Sequence, residues 1–190
     1  MKRVFTLLAL IPFFSYGQEL QVQLGSNAKK LSFESTVNKR NEMMYCYTEL
    51  QYGDQTSVYT QVFYEYNLFS FSPHIEYRNM SNFSDDDSNI FLVGLTIPIF
   101  YNANAFANIT PLYRFDDMSA WQLSTVYGYS KHRLSFFGYI DIYGTNNFTL
   151  FSENKLKFLI GNTFIGLNVE CYATQHFKSI APLFLIGFTM

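Results

Sequence analysis

The chain has 190 residues with a formal net charge of −2, and 15% of the residues are charged, 48% hydrophobic and 19% aromatic. An ordinary soluble domain carries about 25% charged residues, so the composition is unusual for a cytosolic protein and too apolar for a disordered chain. The near balance of 13 basic and 15 acidic residues offers no basic surface to nucleic acid. Two cysteines cannot form a disulfide framework. The length fits one domain.

The N-terminus is typical of a secretory signal peptide. Basic residues at positions 2 and 3 precede an apolar run over 4–14, and small residues follow at positions 15 and 17. The run is too short to span a bilayer as a helix. We therefore predict a signal peptide over residues 1–17, followed by a single domain over residues 18–190.

Beyond this segment, hydrophobic residues recur at every second position. In residues 164–174, for example, Ile165 and Leu167 fall on one face of an extended chain, and Asn168 and Glu170 fall on the other. No segment of ten or more residues shows a helical period. The pattern predicts about twelve strands of roughly 8–12 residues, which begin near Leu20, Leu31, Met43, Ser57, Phe71, Asn89, Ala105, Ala120, Arg133, Phe148, Phe164 and Ser179.

The connections alternate between shorter and longer segments. Tight turns are predicted at 102–104, 130–132 and 161–162, and the longest polar link is the acidic segment 82–88. An outer-membrane barrel with an even number of strands has short periplasmic turns and longer outer loops. On this interpretation both termini lie in the periplasm and the acidic segment lies outside the cell.

Alternation alone does not say which face of the sheet looks inward. A lipocalin-like soluble barrel has its apolar face inside, whereas a membrane barrel has it outside. The polar faces are poor in Lys and rich in Tyr, Ser, Thr and Asn, and the last strand places Ile180, Phe184 and Phe188 on one face. Aromatic residues crowd the strand ends, as interfacial girdles do: Tyr45, Tyr52, Tyr64, Tyr66, Phe100, Tyr101, Phe115, Trp121, Tyr127 and Tyr129.

These features predict an all-β fold, a twelve-stranded antiparallel transmembrane β-barrel in the bacterial outer membrane. A sheet in lipid has to close, because every backbone polar group there needs a partner. The inward face then mixes acids, bases, amides and tyrosines. Such a face lines either a water-filled pore or a lumen closed by a network of ion pairs, and the sequence leaves both open.

Several short runs, in the same order along the chain, resemble the Tsx-like superfamily of nucleoside-specific channel-forming outer-membrane proteins. They are His74-Ile75-Glu76-Tyr77, the segments 110–115, 136–141 and 151–153, and the closing 180–183. The similarity is to a small uncharacterised branch, and it implies a narrow twelve-stranded channel. Matched position by position, it implies the following lumen and substrate-path candidates: Glu49, Gln61, Glu65, His74, Glu76, Arg114, Asp141 and Glu153.

We therefore expect passive diffusion of small solutes, nucleoside-like by resemblance, with outer-membrane lipid as the surroundings. The alternative is a closed accessory barrel within a larger outer-membrane secretion, assembly or uptake complex, in which other outer-membrane proteins are the partners. The three histidines are scattered, with no spacing typical of a metal site, and we expect no metal and no cofactor. A lipid hydrolase would need Ser and His on adjacent lipid-facing positions. His74 is expected to face inward, so we predict no enzyme activity.

Overall fold

The computed structural model of the chain describes residues 18–25, 28–53, 56–68, 70–82, 88–115, 120–144 and 148–190. The predicted signal peptide and the acidic residues 83–87 lie outside these ranges. The described residues contain twelve strands: β1 (Gln18–Leu24), β2 (Ala28–Lys39), β3 (Glu42–Gly53), β4 (Ser57–Tyr66), β5 (Ser72–Asn82), β6 (Ser88–Tyr101), β7 (Ala105–Arg114), β8 (Trp121–Lys131), β9 (Leu134–Gly144), β10 (Thr149–Ile160), β11 (Thr163–Ala173) and β12 (Lys178–Thr189).

The strands form one closed antiparallel barrel. Each strand pairs with its neighbours in sequence, and β1 closes the ring against β12, with Leu20 opposite Phe188. Closure leaves no unpaired sheet edge, which is the condition for a sheet in lipid. Within the described part of the chain, no helix is long and apolar enough to cross a membrane.

The apolar side chains face outward and the polar side chains face inward. Leu167, Phe184 and Ile186 are 48%, 46% and 46% exposed on the outer surface. Asn168, which points to the opposite face of β11 from Leu167, is fully buried. Glu76, on the inward face of β5, is 2% exposed. A soluble barrel shows the reverse arrangement. The fold is therefore the predicted membrane type, with an apolar outer surface for lipid and a polar interior.

The connections at the end of the barrel that carries both termini are short. Three of them contain two residues, at positions 40–41, 132–133 and 161–162. The first residue of each has a positive φ: 53° at Arg40, 56° at His132 and 63° at Gly161. Tight hairpins require this left-handed conformation, and it is unusual for residues other than glycine. The connection from β4 to β5 is longer and is held by an isolated bridge between Leu68 and Phe71.

The strand predictions are confirmed, and one side-chain assignment is wrong. Each strand begins within three residues of its predicted start. Tyr45, predicted to belong to an interfacial girdle, lies on the inward face of β3 and stacks on Phe63, with ring centroids 4.8 Å apart. The reason is parity, because Tyr45 shares its face with Tyr47 and Glu49, which are both buried. By contrast Tyr52, Tyr101 and Trp121 are more than half exposed, as expected for girdle residues.

Candidate functional site in the barrel interior

All eight sequence-predicted candidates lie on inward faces. Six of them are buried, namely Glu49, Glu65, His74, Glu76, Asp141 and Glu153, and the other two, Gln61 and Arg114, are partly exposed. They come from six strands, β3, β4, β5, β7, β9 and β10. The barrel brings them together in two clusters and leaves Arg114 apart, with its guanidinium 5.1 Å from the ring centroid of Tyr143.

The first cluster is built around His74 on β5. Its Nδ1 lies 2.8 Å from Oε1 of Glu65, and its Nε2 lies 3.2 Å from Oε2 of Glu76. The hydroxyl of Thr96 donates to the same Oε1 of Glu65 at 2.5 Å, and the amide of Gln61 donates to Glu76. The cross-strand register explains the arrangement, because β4 pairs Glu65 directly with His74.

An arginine extends this cluster to the facing wall of the barrel. Arg78 Nε donates to Glu76 Oε1 at 2.5 Å, and its Nη1 donates to Asp141 Oδ2 at 2.9 Å. The hydroxyl of Ser124 donates to the other oxygen of Asp141 at 2.5 Å. Three strands separate β5 from β9 around the ring. The pair between Arg78 and Asp141 therefore crosses the lumen and does not run along its wall.

The second cluster lies between β10 and β3 and contains Glu49 and Glu153. Lys30 on β2 reaches Glu170 at 2.6 Å and Glu49 at 3.1 Å. Asn168 donates from one amide nitrogen to Gln23 and to Glu153, both at 2.7 Å. The amide therefore joins β11 to β1 and β10, and the lysine joins β2 to β3 and β11.

Two further lysines complete this second cluster. Lys155 pairs with Glu153 at 3.3 Å and lies 5.3 Å from the ring centroid of Tyr47, across the lumen on β3. Lys157 pairs with Glu19 and lies 4.6 Å from the ring centroid of Phe164. Lys155 and Arg78 therefore each reach a facing wall across the lumen.

Apolar side chains also enter the interior, which the alternation did not predict. Phe164, Leu92 and Leu185 are fully buried on the inward parity, and Leu112 and Leu183 are nearly so. Strand β12 is apolar on both faces, so a period of two gives no signal there. Gly187 lies opposite Phe164 in the register, and a Cβ at Gly187 would overlap that ring.

Several buried polar atoms in the second cluster have no hydrogen-bond partner in the structure: Gln21 Oε1, Gln23 Nε2, Ser32 Oγ and Asn168 Oδ1. Buried polar groups are usually satisfied. These atoms come from adjacent strands, since Gln21 lies opposite Ser32 in the register. Both a donor and several acceptors of this cluster are therefore without a partner among the protein groups.

The inward face includes charged and amide groups that the candidate set did not contain. Arg78, Lys155, Lys157, Asn168 and Glu170 follow from alternation and sidedness alone. Glu19, Gln21, Gln23 and Lys30 stand in the same alternating pattern of β1 and β2, which could have identified them. Among the residues the structure describes, no group of three or more His, Cys, Asp or Glu is placed to hold a metal ion. Cys46 and Cys171 are free thiols on β3 and β11.

Comparison with known proteins supports the fold. No protein-family model and no curated protein matches the sequence. Among solved structures, the NanC porin aligns over 90% of this chain and 98% of its own, with a TM-score of 0.66 and 9% identity. The KdgM porin in complex with disordered oligogalacturonate aligns over 91% of this chain and 98% of its own, with a TM-score of 0.59 and 12% identity. The chain is thus similar in fold to outer-membrane porins.

Proposed function

We propose that this protein is a narrow channel of the bacterial outer membrane, through which small polar solutes diffuse passively, with both termini in the periplasm. The observation that carries the proposal is the polar inward face within an apolar outer surface. Charged and amide side chains from at least nine strands converge there, including Gln23, Lys30, Glu49, Glu76, Asp141 and Asn168. Such groups are costly at membrane depth unless they meet water, a solute or each other.

The bridges across the lumen set the expected conductance. Arg78 to Asp141 and Lys155 to Tyr47 span facing walls, and the inward Leu92, Phe164 and Leu185 are fully buried. A solute has to exchange hydrogen bonds with these side chains as it passes. We therefore expect a unit conductance well below that of a wide porin of the same membrane.

Nucleoside-like solutes are the first class to test. Inward aromatic rings lie beside hydrogen-bonding groups, as Tyr139 lies against Phe151 with centroids 5.7 Å apart and opposite Glu153 in the register. A ring can stack on a flat base, and a carboxylate or amide can bond its edge. The support for this class is the chemistry of the lining and the sequence resemblance.

The test is reconstitution of the full chain in planar bilayers and in liposomes. We expect small, stepwise conductance, partly blocked by added uridine or adenosine. Proteoliposomes should take up radiolabelled uridine faster than sucrose of similar charge and larger size. Stepwise conductance that nucleosides do not block, without uptake of uridine, would refute the nucleoside class but not the channel function. Silent protein that is correctly folded would refute the channel.

The alternative of a closed accessory barrel is favoured by one observation, the ion pair between Arg78 and Asp141 across the lumen. If that pair never opens, the interior is structural and the outer surface is free to dock another membrane protein. Silent barrels that co-purify with one defined outer-membrane protein from native membranes would support this alternative. Conductance by monomeric protein would exclude it.

A further inference from the structure

The inward face carries more negative than positive charge. In the described strands its carboxylates outnumber its lysines and arginines by three, and still outnumber all its bases when His74, between Glu65 and Glu76, is protonated. The carboxylates are Glu19, Glu34, Glu49, Glu65, Glu76, Asp141, Glu153 and Glu170, and the bases are Lys30, Arg78, Arg114, Lys155 and Lys157. A narrow passage with low-dielectric walls concentrates the field of such a surplus.

Part of the surplus lies on two carboxylates that lack a permanently charged partner. Among the described residues, no lysine or arginine lies within ion-pair distance of Glu34, which accepts the amide of Gln21 at 3.3 Å and interacts with Lys155 and Lys157 only at longer range. Glu65 contacts His74 and Thr96. The other six inward carboxylates each contact a lysine or an arginine.

Stacked aromatic rings lie between these two carboxylates. Glu34 on β2 lies opposite Tyr47, and Tyr45 is the next inward residue of β3. Tyr45 lies opposite Phe63 on β4, and Glu65 is the next inward residue of that strand. The rings of Tyr45 and Phe63 are 4.8 Å apart, and Phe63 is 5.0 Å from the ring of His74. The face of an aromatic ring attracts a cation, and its field opposes an anion. We name Glu34, Tyr45, Phe63 and Glu65 the acidic-aromatic band.

We propose that the channel is selective for cations, that the acidic-aromatic band is its main determinant, and that small organic cations are a preferred class of solute. This inference rests on the proposed channel function. A cation that enters the band meets two carboxylates and the outer end of the aromatic stack, because Tyr45 covers one face of Phe63 and His74 covers the other. The same two carboxylates repel a chloride or carboxylate ion, and Lys30, Arg78, Lys155 and Lys157 already contact carboxylates of the protein.

The test is the reversal potential of the full chain in planar bilayers across a tenfold KCl gradient, with choline chloride replacing KCl in a second series. We expect a K⁺ over Cl⁻ permeability ratio of about threefold or more, and measurable choline current. The substitution Glu34→Gln should lower the ratio at least about twofold, since it removes one of the two inward carboxylates that no lysine or arginine contacts directly. Glu42→Gln, an exposed carboxylate beside the β2–β3 turn, is the matched control and should leave the ratio unchanged.

The outcomes separate this inference from the function on which it rests. A silent wild type would overturn the channel itself. A conducting wild type that prefers Cl⁻, excludes choline, or keeps its ratio in Glu34→Gln would overturn the cation selectivity alone. Folding is checked by gel electrophoresis, as a difference in migration between unheated and heated samples of each variant. If Glu34→Gln does not fold, Glu65→Gln at the other edge of the band takes its place with the same expected loss of selectivity.

Discussion

Substitution of Arg78 and Asp141 tests whether their ion pair holds the two walls together. The side chains of Arg78 and Asp141 are only 15% and 6% exposed, so each is largely removed from water. Arg78→Gln leaves both Glu76 and Asp141 without their base, and removing one partner of a buried pair costs about 3–5 kcal/mol. Asp141→Asn keeps the contact between Arg78 and Glu76 and should cost about 1–3 kcal/mol.

The double variant Arg78→Gln/Asp141→Asn gives the coupling free energy of the pair. Because position 141 is then neutral, no carboxylate is left buried there without its base, and we expect the double variant to cost no more than Arg78→Gln alone. The coupling free energy between the two sites is then about 1–3 kcal/mol. The assay is urea unfolding in lipid vesicles, followed by the fluorescence of Trp121, the single tryptophan of the chain. Arg133→Gln, in an exposed turn, is the control and should stay within about 0.5 kcal/mol.

The same variants report on passage through the lumen. Removing the bridge should raise the unit conductance of the double variant above that of the wild type, because the ion pair that joins β5 to β9 is then gone. Strict additivity of the two free energies, together with unchanged conductance, would show that the pair neither holds the walls nor narrows the lumen, and the reasoning from the structure would be refuted.

Three further predictions concern sidedness, close backbone contact and the amide of the second cluster. Leu167→Arg, on the lipid-facing surface of β11, should cost about 2–4 kcal/mol in vesicles, whereas Asn162→Arg in the exposed turn should not; equal costs would contradict the assigned sidedness. Gly94→Ala should cost about 1–3 kcal/mol, because the new Cβ would overlap the Pro111 carbonyl oxygen; a neutral result in urea unfolding would mean that the strands can separate freely there. Asn168→Asp replaces the donor to Gln23 and Glu153 with a third acid beside Glu153 and Glu170, and should cost about 3 kcal/mol or more. The refolding yield and the urea midpoint are compared with those of Asn162→Asp in the exposed turn. A cost no larger than that of the control would show that nearby lysines neutralise the new carboxylate.

The fold was predictable because the hydrophobic period and the turn residues indicate the same structure. A period of two places Leu167 and Asn168 on opposite faces without any knowledge of the partner strands. Turn residues such as Gly161 and Asn162 divide the pattern into strands of nearly constant length. The number of strands and the assignment of their inward and outward faces do not change when a predicted strand end is wrong by a few residues.

The interior was only partly predictable, because its contacts depend on which strands face each other. Alternation puts Arg78 and Asp141 on the inward face, but nothing local to either residue says that they meet across three intervening strands. Tyr45 is a different case. An aromatic residue at a strand end fits a girdle or a lumen equally well, and its parity with Tyr47, which the sequence already contains, decides between them.

The register places some inward carboxylates directly opposite each other, which bears on the proposed channel function. Glu153 lies directly opposite Glu170, and Glu19 lies directly opposite Glu34. Like charges in directly opposed positions destabilise a sheet, and a buried ion pair is often no more stable than the apolar residues that could replace it. The inward leucines of β12 show that this barrel accommodates apolar side chains in its lumen. An interior that only had to be filled could use more of them. Under the proposed channel function, we expect the carboxylates that remain in spite of this cost to contact the solute.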